Sequence, residues 1–192
     1  MKNDIVLAGV GGQGILTIAA IIAQAAVKAG LNVKQSEVHG MSQRGGSVEA
    51  HLRISSEPIY SDLIAPGTAD VVLAVEPMEA LRQRRYLAKD GAILANAKPV
   101  LNIGDYPELD AIIAELKTSP KSVALDAEDV AAKLGTPRAM NMVMLGAMSV
   151  FLDMPETLLT SQITAMFARK GDAVVKTNLD AFQAGKAAAL AR

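Results

Sequence analysis

Residues 5–30, IVLAGVGGQGILTIAAIIAQAAVKAG, constrain this fold more tightly than any other stretch of the chain. Ile5 to Ala8 are apolar without alternation, the pattern of a strand covered on both faces. Four glycines then fall within six positions, at 9, 11, 12 and 14. A helix is predicted next. Ile15, Ile18 and Ile22 share one face with Ala19 and Ala26 beside them, Thr17, Gln24 and Lys28 mark a narrow polar side, and Gly30 stops it. LNVKQSEV, residues 31–38, reads as a second strand. Strand, tight turn, helix and strand form a β-turn-α-β unit, and helices laid on a sheet are what such units build.

The remaining segments extend that unit. SVEAHLRIS (47–55) alternates, with Val48, Ala50, Leu52 and Ile54 on one side and Glu49, His51 and Arg53 directed outward. EPIYS (57–61) reads as its antiparallel hairpin partner across Ser55-Ser56-Glu57-Pro58. Strands are predicted at ADVVLAVEP (69–77), GAILANA (91–97), VLNI (100–103) and SVALD (122–126). Helices are predicted at MEALRQRRYL (78–87), PELDAIIAELK (107–117) and AEDVAAKLG (127–135), the last capped by Asp126. From residue 138 the chain reads as three further helices. The expected fold is a three-layer α/β/α sandwich. Its sheet is Rossmann-like and mostly parallel, with an antiparallel hairpin and a C-terminal helical region. At 192 residues it fits one domain spanning 1–192. With three Phe, three Tyr and no Trp, the core must be built from Ala, Val, Ile, Leu and Met. The five methionines at 140, 142, 144, 148 and 154 read as core filling, with a subunit interface as the alternative.

Gly9, Gly11 and Gly14 satisfy G-x-G-x-x-G. A strand, a glycine turn and a helix start aim backbone N–H groups and the positive end of the helix dipole at one point. Gly9, Gly11, Gly12, Gln13 and Gly14 are therefore candidate ligand-binding positions. Glu37, 23 residues beyond Gly14, is where a dinucleotide site would want an acid for the ribose. Three readings stand open: a dinucleotide, another phosphate or partner contact, or close strand–helix packing alone.

The second glycine-rich stretch, HGMSQRGGS (39–47), cannot be a strand, and its paired glycines argue against a helix. Together with Glu37 just before it, the stretch gathers His39, Ser42, Gln43 and Arg44 before Gly45 and Gly46, at a strand end where α/β proteins place ligands; an exposed solvated loop is the alternative. Arg44 is the candidate for an anionic group, because a guanidinium fork suits carboxylate and phosphate alike; a salt bridge to Glu37 is the rival role. His39 could transfer a proton or donate a hydrogen bond. His51 reads as structural or interfacial.

Other classes are excluded more simply. A net charge of −1 with no basic stripe argues against nucleic acid. Ile15 to Ala23, the longest apolar stretch, is too short to span a bilayer. The absence of cysteine removes disulfides, a cysteine nucleophile and any Cys-ligated iron–sulfur cluster from this chain, and fits a reducing compartment. No metal site is expected from two isolated histidines, and no G-x-S-x-G motif is present. A cytoplasmic location is expected.

GVGGQGI, EVHGMSQRGGSVEAHLRI, MNMVMLGA (140–147) and FARKGDAVVKTNLDAFQAG, in that order, resemble the gamma-type subunit or domain of the 2-oxoacid:ferredoxin oxidoreductases. Within that family the small chain and HGMSQRGG look most like the beta subunit of the indolepyruvate type. The resemblance implies oxidative decarboxylation of a 2-oxoacid with coenzyme A as co-substrate, giving an acyl-CoA, carbon dioxide and reduced ferredoxin. It implies that this chain binds no cofactor alone. Thiamine diphosphate, magnesium and the iron–sulfur clusters would sit on a large partner subunit, through which ferredoxin is reached. It also implies that the glycine turn need not bind a dinucleotide: it could face the partner, a coenzyme A phosphate or only its own helix.

Overall fold

The computed structural model describes residues 1–40, 45–102 and 104–191. Its centre is a six-stranded sheet built from β1 (Lys2–Val10), β2 (Asn32–His39), β3 (Ser47–Ser55), β4 (Ala69–Ala74), β5 (Leu87–Asn96) and β6 (Ser122–Leu125), in the order β2-β3-β1-β4-β5-β6. The pairs β1–β4, β4–β5 and β5–β6 are parallel, whereas β3 runs antiparallel to both β1 and β2. Helix α1 (Ile15–Lys28) joins β1 to β2, but β3 lies between those two strands. The expected unit is therefore present with a strand inserted into it.

Two strand predictions are corrected. Residues 57–61 form no strand: β2 and β1 take both edges of β3, leaving nothing for a third strand to pair with. The antiparallel hairpin is instead β2 with β3. Residues 100–102 are likewise irregular, because β4 and β6 already flank β5; Ile103, the last residue of that predicted strand, lies outside the described residues. The helix expected over 78–87 is shorter than predicted. α2 (Pro77–Gln83) passes into a 3₁₀ turn at Arg84–Tyr86, and Leu87 is already paired with Ala69 at the start of β5.

Both sheet faces are covered. On one, Ile5, Leu7, Ala50, Leu52, Val71, Leu73 and Leu94 meet α1, α5 (Met140–Ser149), α6 (Glu156–Phe167) and α7 (Asp172–Leu190). On the other, Val6, Ala8, Val72, Ala74 and Ile93 meet α2 and α3 (Leu109–Leu116). On the first of these faces, α4 (Ala127–Lys133) follows β6, its first turn capped by the Asp126 carboxylate accepting from Asp129 N at 2.8 Å. Met142, Met144, Met148 and Met154 are buried in the larger cluster, so they fill the core. α5 and α7 cross with backbones in contact. A Cβ on Gly146 would lie 1.9 Å from the Phe182 carbonyl oxygen, and one on Gly185 would lie 1.8 Å from that of Val143.

Candidate functional site

The glycine turn sits at the carboxyl end of β1, where the parallel strands deliver their loops. Gln13 folds back inside it. Its Oε1 accepts from Val10 N at 2.7 Å and its Nε2 donates to the Val75 carbonyl at 3.1 Å, so both ends of the amide tie β1 to the chain leaving β4. Gly9 is fixed by packing, since a Cβ there would lie 2.6 Å from Val75 Cγ2. Gly14 caps α1 in the left-handed region at φ 75°. Over it, Asn141 at the start of α5 donates through Nδ2 to the Gln13 and Gly14 carbonyls at 2.9 and 3.2 Å. Gly12 has open space on its side-chain face. The N–H groups of Gly12 and Gly14 have no partner among the described residues.

The second glycine-rich loop locks onto the first. Gly11 N donates to Gly46 O at 2.8 Å and Gly45 N to Gly11 O at 3.2 Å, continuing the β1–β3 ladder past its last strand pair, Val10 with Ser47. Asn102 Nδ2 donates to Gly45 O from the other side. Ser42, Gln43 and Arg44 lie outside the described residues.

A cleft of about 350 Å³ opens beside the turn, lined by Gly11, Gly12, Gly14, Glu37 and His39, with Val10, Ile15, Leu16 and Val48 as its apolar wall. Glu37 and His39 are alternate residues of the edge strand β2, so they share a face, and both are exposed. His39 Nδ1 lies 3.0 Å from the Gly40 carbonyl, which can only accept. The neutral ring therefore carries its proton on Nδ1 and leaves Nε2 as an acceptor. The cleft thus offers backbone donors at a helix start, one imidazole and one carboxylate. Gly9 and Gln13 do not line it, and Gly45 and Gly46 face a neighbouring cavity. Glu37 is a candidate for the ribose acid only by sequence distance; β3 separates its strand from β1.

Two features escaped sequence reasoning. His51 is buried rather than outward: Nδ1 accepts from Ile64 N at 2.9 Å, Nε2 lies 2.6 Å from Glu49 Oε1, and the ring meets Tyr86 edge-on at 4.8 Å. It latches the 61–64 loop over the second sheet face. Glu76 and Glu79, 1% and 2% exposed, form a buried acidic pair at the start of α2. The signal was present, since an acid preceding Pro77 with a second acid three residues on is a helix-start pattern. Among the described residues, no group of three or more His, Cys, Asp or Glu is placed to hold a metal ion, and no helix is long and apolar enough to cross a membrane.

Residues 4–188 match the pyruvate ferredoxin/flavodoxin oxidoreductase family. The chain belongs to that family. It is 44% identical over 162 residues to indolepyruvate oxidoreductase subunit IorB of Archaeoglobus fulgidus, covering 81% of this chain and 80% of that protein. It superposes with TM-score 0.77 and 29% identity on 2-oxoglutarate:ferredoxin oxidoreductase from Magnetococcus marinus, solved with 2-oxoglutarate, coenzyme A and succinyl-CoA bound. All of this chain is covered there, and it spans 31% of that longer chain. The gamma subunit of a keto/oxoacid ferredoxin oxidoreductase from Geobacter sulfurreducens matches over 99% of both chains, with TM-score 0.73 and 25% identity. The chain is a small, gamma-type member of the 2-oxoacid:ferredoxin oxidoreductases, similar to IorB-type subunits.

Proposed function

We propose that this chain is the small subunit of a thiamine-dependent 2-oxoacid:ferredoxin oxidoreductase acting on indolepyruvate or another aryl pyruvate, and that it works only with its large subunit. The observation that carries this reading is the 44% identity to an indolepyruvate oxidoreductase subunit over most of both chains. The reaction would convert the 2-oxoacid and coenzyme A to acyl-CoA and carbon dioxide, with the electrons passing to ferredoxin in the cytoplasm.

This chain has no cysteine to ligate an iron–sulfur cluster, and its described residues gather no group of three or more His, Cys, Asp or Glu. Thiamine diphosphate, magnesium and the iron–sulfur clusters would belong to the large partner, where they would supply decarboxylation and electron transfer. The role left for this chain is a wall of the assembled site. The Gly12 and Gly14 amides at the start of α1 would hold an anionic group of substrate or coenzyme A, and His39 Nε2 would accept a hydrogen bond from a hydroxyl or N–H elsewhere on the same ligand. Arg44 would add a guanidinium from the loop before Gly45, with Glu37 orienting it.

The test is anaerobic co-expression with the large subunit, followed by dye reduction with indolepyruvate, pyruvate, 2-oxoisovalerate and 2-oxoglutarate, each with coenzyme A. Highest kcat/KM for indolepyruvate supports the reading. Preference for another 2-oxoacid keeps the subunit role and overturns the substrate. A chain that never joins an iron-containing partner overturns both.

A further inference from the structure

Glycines 11, 45 and 46 have the least intrinsic order of any residue type, so their shared geometry must be imposed from outside. The buried pair Glu76 and Glu79 stands directly behind them, in a cavity of about 200 Å³ also lined by Gly45, Gly46, Ser47, Asn102 and Tyr106. Every oxygen of the pair is engaged. Glu79 Oε2 accepts from Ser47 Oγ at 2.5 Å and Oε1 from Arg82 at 2.6 Å. Glu76 Oε2 accepts from Glu79 N at 2.9 Å, and Oε1 accepts from the Tyr106 hydroxyl and from Val100 N. Burial and the Glu76 carboxylate push the Tyr106 pKa up, so it remains a donor. Two buried carboxylates beside a single guanidinium are costly to place, and capping one short helix does not require both.

Their contacts run toward the cleft. Ser47 follows Gly46 directly. Asn102, on the segment that Glu76 holds through Val100, grips Gly45 O. Gly45 and Gly46 in turn hold both polar atoms of Gly11, whose carbonyl shares its peptide plane with the open Gly12 N–H.

We propose that Glu79, through Ser47, and Glu76, through Tyr106 and the 97–102 segment, are positioning residues that set the glycine-turn amides for their ligand. The inference rests on the reading of the cleft as a ligand wall in the assembled enzyme. It assigns α2 a part in substrate affinity although α2 lies outside the cleft.

The test uses the full chain, alone and with its large subunit, carrying Ser47→Ala, Glu79→Gln, both together, or Tyr106→Phe. Ile54→Val, at the far end of β3, shows what lost stability alone does. The expected result is faster amide exchange in residues 9–16 and a KM for coenzyme A or the 2-oxoacid raised about tenfold, with kcat nearly unchanged. The double variant should be no worse than the poorer single, because both act along one path. Ile54→Val should lower Tm and move neither readout. Unchanged exchange and KM, or changes that Ile54→Val reproduces at equal Tm, would overturn the proposal. If wild-type enzyme shows no 2-oxoacid-dependent turnover, the functional reading fails, and amide exchange in the isolated chain still decides the positioning role.

Discussion

The two halves of the sheet are built on opposite terms. β1, β4 and β5 form a parallel block whose central residues are buried on both faces, covered on one side by α5, which itself packs backbone to backbone against α7. β2 is an edge strand whose residues are exposed or half-buried, paired in the sheet with β3 and touched by α1. The candidate cleft lies on the seam, with its glycine amides supplied by the rigid block and Glu37 and His39 by the loose edge. Under the proposed function, a turn fixed by the block would meet the ligand opposite side chains on the more exposed edge.

The contrast predicts unequal tolerance. Gly185→Ala should have the largest effect. Its Cβ meets backbone, not a movable side chain, so α5 and α7 must separate; a loss of about 3 kcal/mol or more is expected in denaturant melts. Removing a buried side chain of the block comes next. Leu94→Ala, from a fully buried position in β5, should cost roughly 2–5 kcal/mol, whereas Val38→Ala, 55% exposed on β2, should stay within about 0.5 kcal/mol. Equal losses at Leu94 and Val38 would show that the edge is as tightly held as the block.

The same contrast governs what the sequence made legible. β1, its glycine turn and α1 are local: an apolar run, four glycines and a helical period lie within consecutive residues, and each alone suggests its element. The edge is set by non-local competition. EPIYS carries a reasonable strand pattern, but β1 and β2 had already claimed β3. The contacts at the glycine turn and in the cavity behind it are equally remote. Asn141 reaches the glycine turn across 128 residues, Ser47 reaches Glu79 across 32, and Tyr106 reaches Glu76 across 30. His51 misled for a related reason: alternation separates the two faces of a strand, but cannot say that a loop at residue 64 will cover the second one.

The smallest expected effect tests whether the rigid half owes anything to charge. Lys186 and Gln183 on α7 hydrogen-bond Glu156 on α6, holding its carboxyl below the ordinary value near 4.5. A carboxylate depressed in the fold contributes its full stability above the unfolded value and loses it as pH falls through the folded one. Lys186→Met should therefore lower stability at pH 7, with the gap to wild type closing as pH drops below about 4.5. Both side chains are about one-third exposed, so solvent screening holds the expected gap to about 0.2–1 kcal/mol. Urea melts at pH 7 and pH 3 measure it. A gap that persists at pH 3 would mean that the Lys186 stem stabilises α6 by packing rather than by charge. A gap much larger than this at pH 7 would place an electrostatic clasp on the side of the molecule that its backbone packing otherwise accounts for.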